Sequence, residues 1–334
     1  MIGCAQYGTK HGHAGGKILA LLGHPEVSLA GVYEPDPDRR MELQDVEEDN
    51  AYAGVHWFES AAEILENQDI VVVASEGNNR ESLEQTSALV RAGKHVWYDT
   101  PAGDDWETWS TIVAEAEARG LCVQMGYMLR YHDGFARIAS WAKNDVLGDI
   151  FFVRAHMSTH IPADYRRQIA GDHLGGIMFD LGGHVLDQIV WLLGRPSKVT
   201  SFLRNDGVPI PDFADNTLAV FEFERAMAII DISALESRPM ARRFEVYGSN
   251  GSAIILEPFE PGHQVRLCLE EPREGYSSGA HILSIRGRSR QQLYELELDA
   301  FLAAVKGEQP PDRSFDHELL VQESLLRATG HLPG

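Results

Sequence analysis

The sequence predicts an α/β plus α+β architecture: an N-terminal doubly wound parallel sheet, then a domain with a large, mostly antiparallel open sheet. Three observations carry this. The 334 residues exceed what one hydrophobic core usually organises, so two domains are expected. The first third alternates short β-branched apolar runs with helical patterns, the rhythm of βαβ units. From residue 197 to 286 the chain is strand-rich with short links, which implies antiparallel pairing.

The elements follow in order. "IGCAQYGTKH" (2–11) sits between a strand-like start and a helix, and with only Met1 and Ile2 before Gly3 the first strand is expected to be unusually short, either stunted or beginning upstream. Val27–Tyr33, "DIVVVAS" (69–75), "KHVWYD" and "GLCVQMGY" (120–127) read as buried parallel strands. Helical patterns lie between them at 13–22, 60–66, 80–92 and 105–118, the third ending at Gly93 as a C′ glycine. The rhythm changes near residue 125, which sets the domains at 1–124 and 125–334. "YHDGFARIASWAKND" reads as a helix, "GDIFFVRAHMSTH" as a strand, and "GGIMFDLGGHVLDQIVWLLG" as a long helix ending at Gly194 before Pro196. "SNG" at 249–251 is a hairpin turn. Helices at 290–306 and 315–329 close the chain, the last expected to pack back on the first domain.

Composition excludes several classes. Lys and Arg number 29 against 50 Asp and Glu, a net charge of −21, which argues against nucleic acid or an anionic membrane surface as partner. Cys4, Cys122 and Cys268 are isolated, so neither a disulfide framework nor a thiolate metal site is expected. No secretory leader or bilayer-spanning apolar run is recognised, and a cytoplasmic location is the expectation.

Two constellations carry chemistry. Gly3, Ala5 and Gly8 occupy the places of a G-x-G-x-x-G pattern between a strand and a helix. There the first glycine turns tightly, the second admits a pyrophosphate, the third lets helix and strand pack, and the helix N-terminus holds phosphate. Gln6, Tyr7 and His11 belong to the same candidate loop. Glu34 ends the second strand, where a carboxylate receives ribose hydroxyls and disfavours a 2′-phosphate, so NAD is expected over NADP. In the second constellation Asp180, His184 and Asp187 lie at i, i+4 and i+7, on one face of an otherwise apolar helix. A carboxylate-oriented histidine is equipment for proton transfer at neutral pH. The bland alternative is a capping Asp180 and a satisfied, half-buried His184. His156, Tyr165, Arg166 and His173 are further substrate-side candidates, with His160 and Arg167 beside them. His156 and His160 could in principle join Asp180 and His184 around a metal, but no tight metal spacing is present and no metal is assigned.

These motifs resemble, in order and spacing, those of the Gfo/Idh/MocA family, the glucose–fructose oxidoreductase and inositol dehydrogenase group. "IGCAQYGTKH" is similar to the family's opening IGxGxxGxxH, "VVVASEGNNRESLEQTSALVRAGKHV" to its next segment, "MGYMLRY" to G-x-x-x-R-F, and "GGIMFDLGGHVLD" to G-G-x-x-x-D-x-G-x-H-x-x-D. "FEVYGSNGSAII" and "LDAFLAAVKGEQPP" resemble its late segments. The resemblance implies a nicotinamide cofactor, a sugar, cyclic polyol or related carbonyl substrate, and a homo-dimer or homo-tetramer joined through the C-terminal sheet. It implies Asp180 and His184 as catalytic residues, Ser75, Glu76, Asp99 and Pro101 on the cofactor side, and Arg130 on the substrate side. The family's E-K-P lysine falls on Thr100, which can hydrogen-bond but carries no charge. Ser75–Gly77, Arg80 and Ala5 are the other departures. The implied activity is hydride transfer with His184 as general acid/base oriented by Asp180, and Thr100 with a nearby cation standing in for lysine. A lyase, hydratase or isomerase acting on an oxidised sugar, and a non-catalytic sugar or nucleotide sensor, are the alternatives.

Overall fold

The computed structural model describes residues 1–45, 50–171 and 175–334. The chain divides into two units. Unit 1 comprises Met1–Gly126 and Tyr294–Leu319, and unit 2 comprises Tyr127–Leu293 and Leu320–Gly334.

Unit 1 runs β1 (Ile2–Tyr7), α1 (Ala14–Gly23), β2 (Val27–Tyr33), α2 (Pro37–Gln44), α3 (Ala62–Leu65), β3 (Val72–Ser75), α4 (Ser82–Arg91), β4 (His95–Tyr98), α5 (Trp106–Ala118) and β5 (Val123–Met125). The five strands form one parallel sheet in the order β2-β1-β3-β4-β5. Strands covered by helices on both faces must be apolar throughout, and Val72, Val73, Ala74, Val96, Trp97 and Tyr98 are all buried. The first strand is not stunted: β1 has six residues, and Gly3 and Ala5 lie within it. The turn comes at Gly8, whose φ of +84° suits glycine. α2, capped by the Asp36 carboxylate, escapes the sequence pattern, because its residues are polar all round.

Unit 2 begins with a 3-10 turn at Met128–Tyr131. It continues with α6 (Asp133–Lys143), β6 (Ile150–His156), α7 (Ala163–Ile169), α8 (Ile177–Leu193), β7 (Lys198–Arg204), β8 (Asn216–Glu222), β9 (Met227–Ser233), β10 (Arg243–Gly248), β11 (Gly251–Ile255), β12 (Gln264–Leu269) and β13 (Gly279–Ser284). Its eight-stranded sheet has the order β13-β12-β11-β10-β6-β9-β8-β7. All pairs are antiparallel except β6 with β9. Alternation gives it an inner face of Ala219, Phe221, Ile230 and Ile232, on which α8 packs. Phe151, Phe202, Met227 and Ile282 are exposed.

α9 (Arg290–Val305) and α10 (Phe315–Ala328) end the chain. The segment returning to unit 1 is most of α9 and the start of α10, rather than the last helix alone. It is fastened to β5: Gln124 Nε2 donates to the Glu297 carbonyl at 3.3 Å, and Arg313 Nη2 donates to the Met125 carbonyl at 2.6 Å. Among the described residues no helix is long and apolar enough to cross a membrane.

Candidate active site

In unit 1 the candidate residues gather at the carboxyl ends of β1, β3 and β4, where open α/β sheets place ligands. A side chain at Gly3 would strike the Asp69 carbonyl oxygen, at 1.8 Å, so this glycine serves close chain packing within the strand. Ala5 is a fully buried strand residue paired with Gly31 and Val73, so its methyl meets core rather than pyrophosphate. Gly8 is the close-approach glycine, since a Cβ there would lie 2.6 Å from the Gly77 amide nitrogen. The segment that can face a dinucleotide is thus 8–13, capped by the start of α1. Tyr7 packs edge-on against Tyr33 with ring centroids 5.1 Å apart. Glu34 closes β2, accepting Thr9 Oγ1 at 2.6 Å and the Asp36 amide at 2.9 Å. Ser75 is turned toward α4 and accepts from Thr86 Oγ1 at 3.0 Å.

Glu76 and Asp99 meet in a buried nest that sequence reasoning missed. Its centre is Lys17, 0% exposed, with Nζ 2.9 Å from Glu76 Oε1, 3.1 Å from Asp99 Oδ2 and 4.5 Å from the Trp97 ring centroid. His13 Nδ1 lies 3.0 Å from Asp99 Oδ2, and His11 Nδ1 3.3 Å from it. Trp97 Nε1 donates to Glu297 Oε2 at 3.1 Å. Burial opposes the charge on Lys17, but Asp99, Glu76 and Glu297 outweigh it and raise its pKa. Burial likewise opposes the charge on Asp99, while His11, His13 and Lys17 hold it well below the usual carboxylate range. Burial pushes Glu76 up to about 7 and Glu297 up to about 8. His11 is raised to about 9, Asp99 overcoming the burial penalty. A signal for the nest existed: Lys17 shares an apolar face with Ala14, Ile18 and Leu21, and Glu297 shares one with Leu293, Leu298 and Phe301.

Thr100 follows Asp99 and precedes a cis bond to Pro101. It is 2% exposed, and Oγ1 has no hydrogen-bond partner among the described residues. Gln6 Oε1 and Asn79 Nδ2 are also buried without a partner. These three orphaned polar atoms, in β1, after β4 and in the loop between β3 and α4, suit a polar ligand such as a dinucleotide. A cation does stand against Asp99, but it is Lys17, arriving from α1. Among the described residues the one convergent group of metal-ligating type is His11, His13 and Asp99, with ligand atoms within 4.8 Å of one another and the Lys17 ammonium already on Asp99. His156, His160, Asp180 and His184 do not form such a group.

In unit 2 the candidates are arranged around α8. The helix starts at Gly176, whose φ of +68° and contact with Ala214 exclude a side chain. Ile177 donates its amide to the Ala214 carbonyl at 2.9 Å, fixing the helix start. Asp180 is half-buried, and His184, one turn on, is 3% exposed. The third member of the stripe forms an ion pair instead. Asp187 binds Arg130 through Nε at 2.9 and 3.0 Å and Nη2 at 2.8 Å. The Arg130 guanidinium also lies 4.4 Å from the Trp191 ring centroid. It is thus engaged inside unit 2. Arg166 is buried against Asp215, whose Oδ1 also accepts the Asp206 amide at 2.9 Å. Tyr165, beside it on α7, is 52% exposed. His156, at the end of β6, is held between Asp231 Oδ2 at 2.5 Å from Nδ1 and Glu236 Oε2 at 3.2 Å from Nε2. The hydrogen bond to Asp231 raises its pKa. His173 lies outside the described residues.

Comparison with known proteins places these features. Residues 1–127 match the model of an oxidoreductase family with an NAD-binding Rossmann fold, and residues 135–254 match the GFO/IDH/MocA C-terminal domain. An inositol 2-dehydrogenase of Cereibacter sphaeroides is 27% identical over 269 residues, 77% of this chain and 73% of that one. The uncharacterized oxidoreductase YhhX of Escherichia coli is 27% identical over 61% of this chain and 58% of its own length. The chain thus spans under two thirds of YhhX, and about half of the Bacillus subtilis scyllo-inositol 2-dehydrogenase (NADP(+)) IolW, at 48%. Among solved structures, GenD2 from gentamicin A biosynthesis, in complex with NAD, superposes with a TM-score of 0.79 at 21% identity, over 98% of this chain and 93% of that one. An oxidoreductase from Agrobacterium radiobacter gives 0.82 at 13% identity, over 99% and 96%. These last two likenesses speak for the fold alone. With both of its domains matched, the chain belongs to the GFO/IDH/MocA family of NAD-binding Rossmann-fold oxidoreductases.

Proposed function

We propose that this chain is an NAD-dependent oxidoreductase that transfers a hydride to or from a sugar, a cyclic polyol or a related carbonyl compound. The observation that carries the reading is His184, buried on α8 one helical turn after Asp180 in an apolar setting. Such a histidine serves as the general acid/base for the substrate hydroxyl, with Asp180 as its orienting carboxylate. The nicotinamide supplies the hydride acceptor or donor when bound. Gly8, Gln6, Asn79 and Thr100 are the residues that would receive the dinucleotide, because they give close backbone approach or orphaned polar atoms. Glu34 favours NAD over NADP by repelling a 2′-phosphate. Thr100 contributes a hydroxyl only, and His11, His13 and Lys17 together hold the neighbouring Asp99 ionised. Phe202, Met227 and Ile282, exposed on the sheet face opposite the buried one, support self-association through that face.

The test is reduction of NAD at the nicotinamide absorbance with myo-inositol and related polyols, together with cofactor released from the native protein. Absence of NAD binding at millimolar concentration overturns the reading. Activity appearing only in Thr100→Lys would mean that the natural chain is not a competent dehydrogenase of this type. The uncharged Thr100 favours a second reading, a lyase, hydratase or isomerase that uses Asp180 and His184 for proton abstraction from a keto sugar. Turnover of a keto sugar without added cofactor would select it.

A further inference from the structure

The chain carries a net charge of −21, yet one recess of unit 2 is walled by arginines. It encloses about 910 Å³ between the segments 238–242, 258–261 and 288–290. Arg238, Arg242, Arg288 and Arg290 line it, and Glu260 is the only acid among its lining residues.

The arginines outnumber their carboxylates. Glu260 serves two of them: Oε2 pairs with Arg242 Nη1, while Oε1 accepts from Arg290 Nε at 2.9 Å and Nη2 at 2.6 Å. Arg288 Nε donates to Asp133 at 2.8 Å. Among the described residues no carboxylate pairs with Arg238. Four guanidiniums thus face two directly paired carboxylates, a local excess of two positive charges that the Glu236 carboxylate lowers to one. Glu236 stands nearby but is engaged, accepting the Ala241 amide at 2.9 Å and lying 3.2 Å from His156 Nε2.

Arg242 feels the crowding most. It is 5% exposed, and burial, then the charge of Arg290, draw its pKa down to about 10, with Glu236 opposing them and Arg238 adding a smaller push. Like charges gathered at a partly desolvated wall are unfavourable unless an anion completes the set. Guanidinium forks match the paired oxygens of phosphate and carboxylate. The volume lies in the range of small-molecule sites and exceeds what a bare inorganic ion fills.

We infer that this recess is an oxyanion-binding site that takes the phosphate or carboxylate group of a sugar-sized molecule, held between Arg238, Arg242 and Arg290. This goes beyond hydride transfer and does not depend on it.

Calorimetric titration of the full chain tests it with four probes: inorganic phosphate, glucose 6-phosphate, glucuronate and glucose. Saturable binding of an anionic probe is expected, with none of glucose, and the tighter of the phosphorylated and carboxylated sugars identifies the group. Arg238→Ala and Arg290→Ala, both at exposed positions, are each expected to weaken binding about tenfold without changing the melting temperature. Glu260→Gln removes the competing carboxylate and is expected to tighten binding, a result that a purely structural role would not give. No saturable binding of any anionic probe up to about 10 mM overturns the proposal, as do unchanged affinities in both arginine variants. The titration needs neither cofactor nor turnover, so its failure is distinct from a failure of the hydride-transfer reading.

Discussion

The nest around Lys17 in unit 1 and the polar stripe of α8 in unit 2 both put ionisable groups among apolar neighbours, but they neutralise them differently. In the nest, Lys17 lies within about 3 Å of Glu76 and Asp99, so each charge depends on the others. On α8 the far member, Asp187, is paired with Arg130, and Asp180 and His184 stand nearer the helix start. On the proposed function, the first arrangement serves stability and the second serves chemistry. Substitutions in unit 1 are therefore expected to move melting curves, and those at the start of the α8 stripe to move rates.

His184→Asn carries the largest expected effect. Loss of a positioned general acid/base lowers kcat by about 10²–10⁴-fold, with a far smaller change in melting temperature. Equal losses of activity and stability would erase the contrast between the units. Lys17→Met comes next. It leaves Asp99 and Glu76 without the ammonium they share, with His11 and His13 remaining on Asp99, and is expected to cost about 3–5 kcal/mol in denaturant unfolding. An unfolding curve that does not shift would mean that the nest adds nothing to stability.

Glu297→Gln gives a pH-dependent effect. The folded-state pKa of Glu297 is raised from 4.5 to about 8, chiefly by burial. Its contribution to stability is therefore complete below about pH 4.5 and is lost as pH rises through about 8. The amide keeps a partner for Trp97 Nε1, so the variant is expected to flatten the fall in melting temperature across that window. What remains toward pH 9 belongs to His11, which is also raised. A variant that melts in parallel with the wild type at every pH would refute the assignment. The smallest effect is at the half-exposed end of β6, where Asp231→Asn replaces the charged acceptor that raises His156 with a neutral one. The His156 titration midpoint, followed by nuclear magnetic resonance, is expected to fall, and an unmoved midpoint would deny Asp231 that role.

Both sheets are legible in the sequence, because periodicity reports burial: "VVAS" (72–75) is buried on both faces, and "NTLAVFE" alternates. The register of the glycine motif is not. Counting from Gly3 assigns Ala5 to a phosphate loop, whereas the chain stays extended to Tyr7 and turns at Gly8. A glycine needed for strand packing and one needed for a turn look alike in sequence. α2 escapes because it buries no side chain and so leaves no stripe. On α8 the spacing of Asp180, His184 and Asp187 does mark one face, yet spacing cannot say that Asp187 belongs to Arg130, a partner 57 positions away. The Lys17 nest is hidden for the same reason, since Glu76, Asp99 and Glu297 meet it across long stretches of chain.

The division of the chain bears on how it is made. Unit 1 is interrupted after Gly126 and resumes only at Tyr294, with the whole sheet of unit 2 encoded between. A ribosome adding about 5–20 residues each second needs roughly 10–30 s to cross that interval. Until then the Trp97 indole lacks Glu297, and β5 lacks the backbone and side-chain partners that α9 and Arg313 bring. The nascent nucleotide domain must therefore wait half-built while its neighbour is synthesised. Cutting a gene fragment at residue 126 would reproduce that waiting state, rather than a finished domain.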